Sequence, residues 1–286
     1  MLTSPVYELA VNAAKYNTLL EKSLNEQLSK EELFRYNVLS SYCKTAFDFA
    51  KKNKLHLSAY HFDKGDLLLK ESKNTLFFKW AALYALPKKA YFLYKGGELT
   101  SAEIMTQYVI NLCGLLRDHG HEYVIFAELQ QYQNLARIYF FSKRIEKAID
   151  LCNQCLQLLY SGSCGLTESN YLSSESDPVK DELCIAFNYQ LIVETLYTFL
   201  KVSKGDKKLI SRWVGIFLTS DLINMWDEKR TDPEYNEILT CMGIFQLLPK
   251  RKWDHFKNDL SQYMNVNILP NQRLQIVLTE YISLFS

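Results

Sequence analysis

AELQQYQNLARIYFFSKRIEKAIDLCNQCLQLLY, residues Ala127–Tyr160, has the pattern of a complete antiparallel helical hairpin. Leu135, Ala136 and Tyr139 place a large, a small and an aromatic residue on the first helix, and Ala148, Cys152 and Cys155 supply small and medium ones on the second. That order suits a tetratricopeptide-type unit. Ala136 and Ala148 allow close approach of two backbones, while Leu135 and Tyr139 fill the groove beside them. A lone hairpin cannot bury both faces, so neighbours stacked on either side are expected. Such stacking produces an extended binding surface more readily than a cleft.

Outward from the hairpin the apolar period stays helical, without a run of strict alternation. Toward the N-terminus the spacing predicts helices over Val6–Leu20 and Lys30–Lys52, the latter with Leu33, Tyr36, Leu39, Tyr42, Ala46 and Phe49 in one stripe. His56–Lys70 and Thr75–Leu93 follow, and Pro87 is expected to kink the second of these or end it early. After the Gly96-Gly97 break, Thr100 with Glu103 reads as a capping box for a helix through Asp118. Toward the C-terminus, Ser161–Pro178 (SGSCGLTESNYLSSESDP) reads as a long surface loop or mobile insertion in which Ser173, Ser174 and Ser176 could take phosphate. Helices are predicted over Val179–Val202 and Lys207–Trp226, split by Lys204-Gly205-Asp206. Asp232-Pro233 reads as N-cap and first helical residue, and Pro249 and Pro270 punctuate final helices at Trp253–Tyr263 and Asn271–Phe285. The fold expected is all-α: a right-handed, tetratricopeptide-like helical-hairpin solenoid over residues 1–203 and a C-terminal helical globule over 204–286.

Composition narrows the function. The 286 residues are 48% hydrophobic with a net charge of +1, so any electrostatic recognition must be local and a nucleic-acid partner is not expected. Seven cysteines without framework spacing suit a reducing compartment. The N-terminus lacks the charge and apolar pattern of a secretory signal, and no apolar run is read as approaching the roughly 20 residues of a membrane span. A cytoplasmic location is expected. Cys152-x-x-Cys155 lies at packing positions with no second pair to complete a metal site, and His119 and His121 flank Gly120 without acidic or cysteine partners. Neither a phosphate-cradling loop nor a nucleophile elbow is present. No enzyme, cofactor or metal is expected.

Four stretches in order resemble the soluble NSF attachment proteins, the SNAP adaptors that link SNARE bundles to the disassembly ATPase NSF. They are Tyr42–Phe49 through Ser58–Phe62, Leu67–Lys95, Gly120–Tyr160 with Ile138-Tyr139 and Ile145–Ile149, and Asp232–Ser283. The likeness lies in spacing and order, and it covers nearly the whole chain. It implies a non-enzymatic adaptor in vesicle trafficking, peripheral to endomembranes, reaching them through SNAREs. Its partners would be an acidic SNARE four-helix bundle and an NSF-type AAA+ ATPase. Basic residues at hairpin corners would hold the bundle: Lys51, Lys52 and Lys54, Lys88, Lys89 and Lys95, and Lys143 and Arg144. Arg273, Leu284 and Phe285 on the last helix would face the ATPase. The chain departs from the family in places: Glu21–Lys30 offers only Leu24 and Leu28 where exposed phenylalanines dip into a bilayer, Gln130 stands where a concave-face lysine is expected, and Leu248–Trp253 reads LPKRKW where acidic residues meet the ATPase. The alternative is a tetratricopeptide-like peptide-binding scaffold or chaperone unrelated to SNAREs. A phosphopeptide reader of the 14-3-3 kind, suggested by Glu31-Glu32 to Lys44, lacks a later Arg-Tyr pocket.

Overall fold

The computed structural model describes the backbone of residues 5–70, 75–174, 177–219, 233–266 and 272–285, and side chains at 16–70, 75–174, 177–219, 239–265 and 274–285. Among these the chain is all-α, with one isolated bridge between Ser163 and Glu168 and no strand. The helices are α1 (Pro5–Gln27), α2 (Lys30–Lys51), α3 (Leu55–Lys70), α4 (Leu76–Lys95), α5 (Leu99–Asp118), α6 (Ile125–Phe141), α7 (Ile145–Ser161), the single turn α8 (Asn170–Ser173), α9 (Pro178–Ser203) and α10 (Lys207–Phe217). After them come α11 (Pro233–Phe245), α12 (Trp253–Val266) and α13 (Gln272–Leu284). Two compact units result, Tyr16–Ser142 and a second that is mainly Lys143–Ser286.

In the first unit α2 packs on α3 and α4, α4 on α5, and α5 on α6. Small buried residues, Ala46 on α2 and Ala81, Ala82 and Ala85 on α4, let these axes approach, and Phe62, Phe77 and Trp80 fill what remains. Gly65 serves the same end: a Cβ there would meet Cys43 Sγ at 3.2 Å, so α3 lies on α2 at a distance that glycine permits. Helix α4 runs unbroken through Pro87. Its buried residues flank the proline on both sides, from Phe77 to Ala85 and again at Ala90, and that packing outweighs the one hydrogen bond the ring removes.

The caps differ from those expected. Helix α5 starts at Leu99 with Glu98 in the cap position, which puts Thr100 inside the first turn rather than ahead of it. The capping box lies instead at the start of α2, where the Glu32 amide donates to Ser29 Oγ at 3.3 Å and the Ser29 amide donates to Glu32 Oε2 at 2.9 Å. Leu24 and Leu28 are each 6% exposed in the core of the first unit, so neither is presented to a bilayer. Asp232 lies outside the described residues.

In the second unit α9 is the central element, packing on α7, α10, α11 and α13. By length and composition it could cross a membrane, and the sequence reading passed over it, yet 56% of its most apolar window is buried against these neighbours, as in a core helix. Helix α10 ends at Phe217, well short of Trp226, with Leu218 leaving helical geometry. The described part of the Ser-rich segment carries local structure: the Ser169 amide donates to the Gly162 carbonyl at 2.8 Å, the Cys164 amide to the Thr167 carbonyl at 3.0 Å, and α8 occupies part of it. Phe245, Phe256, Tyr281 and Phe285 form an aromatic core, edge to face except for the stacked Tyr281–Phe285 pair, with the Phe245 and Tyr281 centroids 4.7 Å apart. The Tyr281 hydroxyl donates to the Leu196 carbonyl of α9 at 3.0 Å, tying the last helix to the middle of the unit.

The hairpin residues Leu135, Ala136, Tyr139, Ala148, Cys152 and Cys155 are all buried. The division between units nevertheless falls at Ser142 and Lys143, in the turn meant to join the two helices. Within its own unit α6 packs on α5, and within the other unit α7 packs on α9 and α10. The sequence places its boundary at 203/204, and there α10 packs on α9 within a single unit.

Candidate functional site

The cationic residues singled out by the sequence separate into exposed, half-buried and undescribed ones. Lys51, Lys52 and Lys54 stand exposed at the end of α2. Their turn is made by Asn53, whose φ of +58° is the left-handed conformation that asparagine tolerates best after glycine. The Asn53 amide donates to Ala50 and the Lys54 amide to Phe49, closing the helix end beside the three lysines. Lys95 ends α4 in a similar way. There Gly97, at φ +84°, and the Glu98 amide donating to the Leu93 carbonyl terminate the helix, and Lys95 is exposed.

These two ends belong together. Phe47 of α2 meets Tyr91 of α4 edge to face with centroids 5.0 Å apart. Lys51 and Lys95 each lie one turn beyond that contact, so α2 and α4 present their lysines at one end of the unit. Lys51 Nζ sits 4.1 Å over the Phe47 ring and 3.5 Å from Asp48 Oδ1. Tyr94 in turn meets Phe141, the exposed last residue of α6, at 5.3 Å. The end of the first unit is therefore a basic rim on an aromatic floor. Beside it a small crevice of about 20 Å³ opens between α4, α5 and α6, lined by Tyr91, Tyr94, Asn134 and Arg137 among others.

Lys88 and Lys89 do not stand at a corner. Both lie inside α4, because the helix continues past Pro87. Lys88 Nζ donates to the Tyr84 carbonyl at 2.9 Å and covers the Tyr84 ring at 3.2 Å. Burial, reinforced by the like charge of Lys51, pushes its ammonium down to about 8. Lys89 is ion-paired to Asp66 of α3, both about three-quarters buried, and so ties two helices together. These two lysines are corrected from corner contacts to packing residues. Lys143 is exposed at φ +62° and Arg144 is half-buried; both belong to the second unit. Gln130 is exposed on α6.

Of the residues assigned to an ATPase, Phe285 is 4% exposed within the aromatic core and is not a surface contact. Leu284 is half-buried, and the Arg273 side chain lies outside the described residues. Sequence reading missed Phe141, Tyr91 and Asp66. Asp48 is within helical reach of Lys51 and could have been read from spacing, whereas Asp66 meets Lys89 from another helix, across a separation no local pattern encodes. Cys152 and Cys155 are buried on the packing face of α7. Among the described residues no three His, Cys, Asp or Glu side chains gather as a metal set.

No family model matches the chain, and no curated protein and no solved structure matches it either.

Proposed function

We propose that the chain is a non-enzymatic helical adaptor of the SNAP type, which binds an acidic SNARE four-helix bundle and presents it to an NSF-type AAA+ ATPase. The observation that carries this reading is the set of exposed lysines, Lys51, Lys52, Lys54 and Lys95, gathered by the Phe47–Tyr91 contact at one end of a helical unit. Each exposed ion pair contributes only about 0–1 kcal/mol and is screened by salt. Several such pairs on a rigid helical frame give fast, sequence-tolerant association with an acidic surface. Stacked α-hairpins of the tetratricopeptide type supply a frame of this kind, which suits packing of α2 on α3 and of α4 on α5.

Pull-down with an assembled SNARE bundle tests the reading. Binding to the bundle but not to separate SNAREs, weakening as salt rises, is the expected result. Changing Lys51, Lys52, Lys54 and Lys95 to Glu is expected to abolish it at physiological salt, with helicity and melting unaltered. Unchanged binding by that variant would refute the surface, and tight salt-independent binding of short peptides would favour a peptide receptor instead.

A further inference from the structure

We propose that the second unit holds a binding site for clustered phosphate groups, in the open pocket between α10 and the Pro249–Trp253 turn. The pocket is half-open, with a cavity volume of about 230 Å³, a little below the roughly 300–1,000 Å³ of small-ligand clefts. Lys208, Arg212 and Arg251 line it, and among the described residues no carboxylate does. Lys208, Arg212 and Gly215 recur at helical spacing on one face of α10, so both cations and the glycine point the same way. Gly215 is what lets the wall close: a Cβ there would lie 3.1 Å from both Cβ and Cγ of Pro249. Opposite, the turn is pinned by the Arg251 amide donating to Leu248 at 2.9 Å and the Lys252 amide to Leu247 at 3.2 Å. Arg251 sits there at φ +55°, a conformation few residues with a side chain adopt.

Two further features favour an anion. The indole Nε1 of Trp253, which lines the pocket, is buried and has no acceptor among the described residues. Ser211 turns its hydroxyl back to the Lys207 carbonyl at 2.8 Å, which leaves the cations to set the chemistry. Arg212 also pairs with Glu146 at 2.6 Å, but both are more than half exposed, and a solvated pair of this kind yields readily to a more highly charged ligand. Two guanidinium forks and an ammonium suit phosphate esters better than a lone carboxylate, because each fork takes two oxygens of one phosphate. Three cations around one open site exceed what a single phosphate needs, so several phosphates on one small scaffold suit it best. This site and the lysines of the first unit belong to different units, and each reading can fail without the other.

Titration calorimetry of the full chain with inositol hexakisphosphate, at about 0.15 M salt, tests the proposal. Micromolar binding is expected, with affinity falling about tenfold or more in Arg212→Gln/Arg251→Gln and no change in melting temperature. Lys208→Gln gives a second variant should the double one lose its fold. A control with Lys51, Lys52 and Lys54 changed to Glu is expected to bind as the wild type does. Absence of binding, unchanged affinity in the pocket variants, or equal loss in the control would overturn the site. Flotation distinguishes the source. Binding to phosphatidylcholine vesicles bearing phosphatidylinositol bisphosphate, lost in the double variant, identifies a lipid headgroup. No flotation alongside retained calorimetric binding identifies a soluble ligand. Equal flotation on phosphatidylserine vesicles of matched charge would mark non-specific attraction and overturn the proposal.

Discussion

At the scale of single residues, Lys88 shows how one misplaced helix end changes a side chain's role. Pro87 suggests a stop, and beyond a stop a lysine belongs to a solvated corner; inside a continuing helix it lies against Tyr84. A lysine in an unfolded chain keeps its proton to about pH 10.4, whereas here burial brings the value down to about 8. Between those values the unfolded chain binds more protons at this position, so stability from this group rises with pH; below pH 8 the penalty of the buried charge is present in full. Lys88→Met is therefore expected to stabilise the fold by about 1–2 kcal/mol at pH 7, after loss of the carbonyl hydrogen bond, and to retain almost none of that gain by pH 10. The gap between variant and wild type must be followed, because Cys43 opposes the trend. Its thiol is pushed up to about 11 by burial, so stability from it falls once unfolded thiols ionise above about pH 8.5. Urea midpoints of both proteins from pH 7 to 9.5 measure the difference, and a gap independent of pH would refute the account.

At the scale of elements, the helices were legible because each needs only its own apolar period and its stops, and α7 follows that period along its whole length. What joins them was not. Arg117 at the end of α5 donates from Nε to Glu128 Oε2 of α6 at 2.9 Å, and the Tyr132 hydroxyl donates to the other oxygen at 3.1 Å. Glu128 is 2% exposed, and burial pushes its carboxyl up while Arg117 pulls it down. Nothing in the sequence marks a glutamate inside an apolar stretch as partnered rather than solvated. Arg117→Met is expected to destabilise the fold by about 3–5 kcal/mol by stranding that charge, and Arg117→Met/Glu128→Met to recover most of the loss; a double variant no better than the single would deny the coupling. Glycines within helices give a contrasting pair. Gly114 and Gly243 have open space where a Cβ would go, so Ala at either is expected to raise stability by about 0.5–1 kcal/mol. Gly65→Ala is expected to lower it, since Cys43 stands in the way. Thermal melts of the three variants suffice to check the signs.

At the scale of the whole molecule, a break in a helix need not be a break in a core. Lys204 and Gly205, at φ +54° and +85°, do end α9, yet the turn they make returns α10 onto α9. A core is defined by which side chains share buried surface, and turn residues carry no information about that. The same sharing alters what the last helix can be asked to show. Leu274, Val277, Leu278, Tyr281 and Phe285 of the α13 region are buried, so deleting it would strip the second unit's interior rather than remove a detachable contact. Tyr281→Ala probes this more gently. It loses a fully buried ring, worth about 3–5 kcal/mol in a core, together with the side-chain hydrogen bond to the Leu196 carbonyl. Because each compact unit has its own buried residues, amide exchange in α9, α12 and α13 is expected to accelerate by two orders of magnitude or more, roughly the factor such a loss implies. Protection in α2 to α6 is expected to stay at its wild-type level. Equal acceleration in both units would show that they unfold as one, and then the division at Ser142 would have no energetic meaning.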